Sequence, residues 1–342
     1  MSRVLLTGGS GFLGAHVLDT LLKRGHSVVT TVRNSAKADK IRQRYAQYDS
    51  GKLAFAIVPD IALDGAFDEA VISDPPFDAV IHTASPYTFA ITDVQSQLLD
   101  PAINGTTNIL LSIAANAPSV RRVIITSSFA AMWQRDRGNW PEHTYSEADW
   151  NPVTHEEALT SPAVGYSGSK KLAEQAAWNF MDEKKPNFSL TTVNPPMVFG
   201  PMIHDVTLES VNTSNARIRD VLAGKWKDSV PDTGLFLCVD VRDAALIHVL
   251  AAEGEEMAGK RVMAVGGYYS NKEIVDIVRK EFPEYAGRLP EESSEGGDFP
   301  GGSVQNYFKF DNGRARGLLG SEFVGFQKTV VDLVASLKGL GA

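Results

Sequence analysis

Cysteine is nearly absent. Cys238 is the only one among 342 residues, so neither an intrachain disulfide framework nor a thiolate metal cluster can form. Long hydrophobic runs are missing too: no apolar stretch approaches the roughly eighteen residues of a membrane-spanning helix. Val4-Leu5-Leu6 runs straight into Thr7-Gly8-Gly9-Ser10-Gly11 instead of into a secretory h-region, and the expected compartment is the cytoplasm. Positive charge is in deficit, 33 basic against 41 acidic side chains for a net charge of −8. That is the wrong sign for a protein whose main partner is a nucleic-acid backbone or an anionic membrane. Glycine and proline, 29 and 17 residues, fall far short of a collagenous or disordered composition. Also lacking are the G-x-S-x-G elbow of acyl transfer, a P-loop lysine and an H-E-x-x-H helix. The 7 histidines are scattered, so no metal is expected, and His82 reads as a hydrogen-bonded residue near the core.

What is present is an ordinary apolar share, 43%, laid out in alternation. Continuously apolar, β-branched runs at 3–7, 27–32, 53–58, 79–83, 122–127 and 189–194 read as strands buried on both faces. Between them, 12–24, 36–48, 101–115 and 164–183 carry apolar residues at helical spacing. This repetition predicts right-handed βαβ units and an α/β fold, a Rossmann-type doubly wound parallel sheet. After Asn194 the rhythm loosens at Pro195-Pro196 and Gly200-Pro201. Strands are expected again at 235–239 and 261–265, and helices at 216–222, 272–282 and 326–337. The expected division is a dinucleotide-binding domain of residues 1–194 and 235–265 with a smaller C-terminal substrate lobe of residues 195–234 and 266–342. The acidic, glycine-rich segment 290–302 reads as a mobile surface loop.

Gly8-Gly9-Ser10-Gly11-Phe12-Leu13-Gly14 follows the first strand and opens the first helix. Glycines at 8, 11 and 14 permit a tight turn, close approach of a pyrophosphate, and packing of helix on strand, with the helix N-terminus facing the anion. Such spacing is weak in isolation and gains meaning from its place in a βαβ unit. An NAD site would carry Asp or Glu at the end of the second strand, whereas this chain has Thr31-Val32-Arg33. Arg33 can bind an adenosine 2′-phosphate bidentately, with Lys37 one helical turn on as a second cation. The cofactor inferred is NADP(H), although two solvated surface cations would look the same. Asp60-Ile61, after the third strand, are placed for the adenine edge.

Tyr166 and Lys170 stand four apart, on one face of a helix. The spacing recurs at Tyr48/Lys52 and Tyr268/Lys272, so context decides. Asp49-Ser50-Gly51 breaks the first pair's helix, and a cap at Ser270 or Asn271 separates the members of the second. Only Tyr166/Lys170 runs into a long helix, and it follows Ser128 at the carboxyl end of the fifth strand, where doubly wound sheets bind ligands. A tyrosine of ordinary pKa near 10 is a poor proton shuttle; lowering it by roughly three units needs about 4 kcal/mol from a neighbouring ammonium. Tyr166 would then protonate a carbonyl oxygen being reduced, with Ser128 hydrogen-bonded to that oxygen. Alone, Ser128 is also an ordinary turn residue.

Several blocks together resemble the extended short-chain dehydrogenases: TGGSGFLG at 7–14, HTASP at 82–86, TSS at 126–128, YSGSKKLAE at 166–174, NPPMVFGP at 194–201 and VDVRDAA at 239–245. Within that family the chain looks like the dihydroflavonol-reductase-like branch and its yeast NADPH-dependent methylglyoxal and carbonyl reductases. The resemblance spans essentially the whole chain and is weakest over 284–308. It implies hydride transfer from NADPH to an aldehyde or ketone, with Ser128, Tyr166 and Lys170 as the triad and Lys170 also on the nicotinamide ribose. It further implies Thr83, Ala84 and Ser85 along the cofactor, Pro195 and Val198 beside the nicotinamide, and Ser214 nearby. Asn104 would complete a proton relay, or else serve packing or capping. The substrate wall is expected from Tyr87, Phe89, Phe129, Met132, Val164 and Met197, in a monomer or homodimer. A nucleotide-sugar epimerase or dehydratase, and a non-catalytic NADP(H) sensor, remain as alternatives.

Overall fold

The computed structural model describes residues 1–85 and 91–342; Tyr87 and Phe89 lie outside the described residues. The chain divides into two compact units. The first comprises residues 1–134, 147–194 and 245–263. It opens with β1 (Arg3–Thr7), α1 (Phe12–Lys23), β2 (Ser27–Val32), α2 (Ser35–Arg44), β3 (Leu53–Ile57), β4 (Ala79–His82), α3 (Asp100–Asn116) and β5 (Arg122–Thr126). After β6 (Thr144–Tyr145), which belongs to the second unit, it resumes with α4 (His155–Ala158), α5 (Pro162–Lys184) and β7 (Ser189–Val193).

Seven strands form one sheet in the order β10-β7-β5-β4-β1-β2-β3, where β10 is Lys260–Val262. Every pairing in it is parallel. The strands are continuously apolar because both faces are covered. Leu5, Val80, Val123 and Leu190 meet Ile109, Leu110 and Ile113 of α3 and Ala177 and Phe180 of α5 in one buried cluster. Each fully buried aliphatic side chain there contributes about 1.5–3 kcal/mol. The doubly wound Rossmann order, with its switch point beside β1, leaves the carboxyl ends of β1, β2, β4 and β5 free to carry a site. Helix α5 is started by Ser161, whose Oγ accepts from Val164 N at 3.4 Å, with Pro162 in the first turn. It runs 23 residues and stops at Lys185 in a left-handed conformation.

The second unit comprises residues 135–146, 195–244 and 264–342. It holds β8 (Met197–Phe199), α6 (Thr213–Leu222), β9 (Leu237–Asp240), the start of α7 (Val241–Glu253, divided after Ala244), β11 (Gly267–Tyr268), α8 (Asn271–Glu281), β12 (Lys309–Phe310), α9 (Gly313–Leu319) and α10 (Phe326–Lys338). Phe199, Ile218, Tyr269, Val278 and Leu333 lie in its core. One sequence expectation is corrected here. The strand expected from 235 does not return to the main sheet: β9 pairs in parallel with β8 and antiparallel with β11 in a separate three-stranded sheet. Its four residues are all buried, so its apolar run reads like a main-sheet strand, and burial alone does not name the partner. Segment 290–302 is largely exposed, as expected of a surface loop, and is anchored at one point. Gly297 is buried, and its carbonyl accepts from Thr233 Oγ1 at 2.6 Å and Lys272 N at 3.1 Å.

Candidate active site

The turn after β1 is built by glycine. Gly8 adopts φ +79°, and a Cβ on it would stand 2.9 Å from Ala84 N. A Cβ on Gly14 would stand 2.1 Å from Gly8 O, and one on Gly9 would stand 2.2 Å from Thr30 Oγ1. Gly11 differs: its Cβ would meet only Gly8 O, at 3.4 Å. Gly11 caps α1 with no side-chain bond, and the first turn of α1 has no acid, so the helix amides are left for an anion. Gly8, Ser10 and Gly11 open on a cleft of about 720 Å³, within the usual size of ligand pockets. Arg33, Lys37, Asp60, Ile61, Thr83, Ala84 and Ser85 share its lining with Thr31, Val32, Asn34, Val58 and Pro59. Gly9, Phe12, Leu13 and Gly14 are not in that lining; they form the turn and first helical residues behind it.

The cationic end of the cleft is fixed by local structure. Asn34 caps α2 by accepting from Lys37 N at 3.1 Å, which holds Arg33 and Lys37 at the end of β2. No carboxylate stands between β2 and α2. Asp60 instead accepts from Ala62 N at 2.9 Å, tightening the turn after β3. These residues fit a dinucleotide bearing an extra phosphate.

Tyr166 and Lys170 face one way on α5, with Lys170 Nζ 5.9 Å from the Tyr166 ring centroid and 3.0 Å from Ser85 Oγ. The half-buried Lys170 loses hydration to its surroundings, which pushes its pKa down to about 8. Beside it lies a cavity of about 20 Å³, room for about one water, lined by His82, Ser127, Thr126, Thr106, Gly105 and Glu174 among others. His82 is buried. Thr7 Oγ1 accepts from Ala84 N at 3.2 Å and shares a hydrogen bond of 2.9 Å with His82 Nδ1. Burial first, and the Lys170 charge second, push the imidazole down to about 3. His82 therefore remains a neutral structural group. Ser128 starts a short turn in which its Oγ accepts from Ala130 N at 3.1 Å, and its O–H is left to donate.

Other expected residues fall elsewhere. Asn104 is exposed on α3 and is not in the cavity lining beside Lys170, where Gly105 and Thr106 stand. Phe129 and Met132, expected in a substrate wall, show no exposed surface. Val164 is half-buried against Leu99, Val153 and Ala158. Pro195, Met197, Val198 and Ser214 belong to the second unit, Met197 and Val198 on β8 and Ser214 on α6. Sequence reasoning missed Ser127, Glu174, Asn194 and Arg261, which are hydrogen-bonded together beneath the site. A signal existed, since Glu174 is an acid four residues beyond Lys170 with Ala173 and Ala177 beside it.

The sequence pattern of the NAD dependent epimerase/dehydratase family matches residues 4–266. The chain belongs to that family. Within it the chain is 44% identical over 337 residues to ketoreductase azaE of Aspergillus niger, covering 98% of this chain and 97% of the relative. It is 34% identical to the NADPH-dependent methylglyoxal reductase GRE2 of Saccharomyces cerevisiae, covering 98% and 97%. The crystal structure of yeast methylglyoxal/isovaleraldehyde reductase Gre2 complexed with NADPH superimposes with a TM-score of 0.91 at 34% identity, over 99% of each chain.

Proposed function

We propose that this family member is an NADPH-dependent carbonyl reductase that converts aldehydes and ketones, of the methylglyoxal, ketoester or aryl ketone kind, to alcohols. The observation that carries the reading is Lys170 between Tyr166 and Ser85 at the carboxyl end of the sheet, beside a cleft whose β2 end offers Arg33 in place of an acid. The full-length relatives named as ketoreductase and methylglyoxal reductase support reduction over epimerisation within the family. We also assign it to the cytoplasm, a reading supported by its single, buried cysteine.

Bound NADPH supplies the hydride. The helix amides after Gly11 and the donors of Ser10 receive the pyrophosphate, and Arg33 with Lys37 receives the 2′-phosphate. Ser128 O–H donates to the carbonyl oxygen as negative charge builds on it. Tyr166 gives that oxygen its proton, and the Lys170 ammonium stabilises the phenolate left behind. Following NADPH absorbance with methylglyoxal, α-ketoesters and aryl ketones tests the reading; no substrate-dependent oxidation rejects it. Tyr166→Phe is expected to lower kcat about 10²–10⁴-fold, and undiminished turnover would remove Tyr166 from its role.

A further inference from the structure

The Glu174 side chain has no exposed surface, and the side chain whose guanidinium faces it, Arg261 on β10, is 8% exposed. Removing both charges from water costs more than an ordinary ion pair returns unless every lone pair is satisfied. Here each one is. Oε1 accepts from Arg261 Nε at 2.7 Å, Thr192 Oγ1 at 2.8 Å and Trp178 Nε1 at 3.3 Å. Oε2 accepts from Ser127 Oγ at 2.6 Å, Asn194 Nδ2 at 2.7 Å and an Arg261 terminal nitrogen at 3.3 Å. Arg261 is itself held by the carbonyls of Glu147 and Asp149, at 2.9 and 2.5 Å, and its guanidinium lies 3.8 Å from the centroid of the Trp150 ring.

The donors are not a random sample of the unit. Tyr166, Lys170 and Glu174 follow one another at four-residue spacing along one face of α5. Ser127 directly precedes Ser128 in sequence. Asn194, at the end of β7, gives its second amide hydrogen to the Ser128 carbonyl at 3.2 Å. One buried carboxylate therefore holds the helix that carries the proton donor to both residues that fix the turn carrying the oxyanion donor. A plain hydrophobic contact between α5 and the sheet would bury the helix equally well without fixing its register to the Ser128 turn.

We propose that Glu174, paired with Arg261, is a positioning residue for carbonyl reduction, clamping the Tyr166–Lys170 helix to the Ser128 turn and so setting where hydroxyl and phenol meet the substrate oxygen. The inference rests on the reductase reading above, and wild-type turnover is measured first: if wild type oxidises no NADPH with any carbonyl, that reading fails. With wild type active, Ser127→Ala removes a single bond between clamp and turn while leaving the ion pair intact. A displacement of catalytic groups by well under 1 Å is expected to lower kcat about tenfold. KM for the carbonyl and Kd for NADPH should stay within about twofold, because neither ligand's binding groups have changed, while the unfolding midpoint should fall modestly for the one buried hydrogen bond lost to the carboxylate. In a Glu174→Gln background the Ser127→Ala loss should shrink, since a neutral amide holds the Ser127 hydroxyl less tightly than the carboxylate and groups acting through one partner are non-additive. If Glu174→Gln does not fold, Ser127→Ala alone decides. A kcat for folded Ser127→Ala within twofold of wild type overturns the proposal and leaves Glu174 a purely structural ion pair, as does an additive loss in the double variant.

Discussion

Arg33 is exposed and makes no ion pair with the described residues, so its guanidinium is available to a phosphate. Arg33→Ala should raise the Kd for NADPH about 10–100-fold, the worth of charge-assisted hydrogen bonds. NADH binding should change far less, and titration with both dinucleotides checks it; equal losses would show that the 2′-phosphate is held elsewhere. At His82 the prediction concerns protons. The folded imidazole, at about 3, is depressed below its ordinary value near 6.5. Between those values the unfolded chain binds the proton and the folded chain does not, so this group's contribution is fully present above pH 6.5 and is lost as pH falls toward 3. The slope is about 1.4 kcal/mol per pH unit at most. Urea unfolding from pH 6 to 4 should weaken less steeply in His82→Asn, and an imidazole signal titrating near 6.5 would reject the assignment. The Tyr166–Lys170 pair was legible because both members sit on one helix. Glu174 was not, because the donors that give it meaning come from three separated stretches of the chain, at Ser127, at Thr192 and Asn194, and at Arg261.

Among elements, the start of α1 shows how one turn serves packing and binding at different glycines. Gly14→Ala would place a methyl 2.1 Å from Gly8 O, a backbone atom that cannot swing aside. Overpacking of this kind costs about 1–3 kcal/mol, so the unfolding midpoint should drop and NADPH binding weaken with it. Gly11→Ala meets only a 3.4 Å contact and should keep its midpoint while losing affinity, because the methyl enters the cleft. A Gly14→Ala variant as stable as wild type would contradict the geometry. The strands of the main sheet were readable from their unbroken apolar runs, and a cap was readable at Ser270 or Asn271; it falls at Ser270, whose Oγ accepts from Glu273 N at 3.0 Å. The partner of β9 was not readable, since a four-residue buried strand carries no mark of the sheet it joins.

At the scale of the molecule, the chain passes between its two units after residues 134, 146, 194, 244 and 263. The first unit is therefore not one piece of sequence. A fragment ending at Asn194 holds every residue of the cleft lining yet lacks β10 and with it Arg261. Leaving the Glu174 carboxylate buried without its partner costs about 3–5 kcal/mol, comparable to a domain's whole margin of stability. The fragment should fail to bind NADPH or to unfold cooperatively; a cooperative, NADPH-binding fragment would show the sheet complete without its last strand. The order of strands also has a bearing on synthesis. The cleft-lining residues leave the ribosome first, the helix bearing Tyr166 next, and the counter-charge that lets that helix dock only after residue 261. A growing chain can thus assemble its nucleotide-holding half early, while the reactive face is armed late, and protease resistance of stalled chains should rise at α5 only once β10 has emerged.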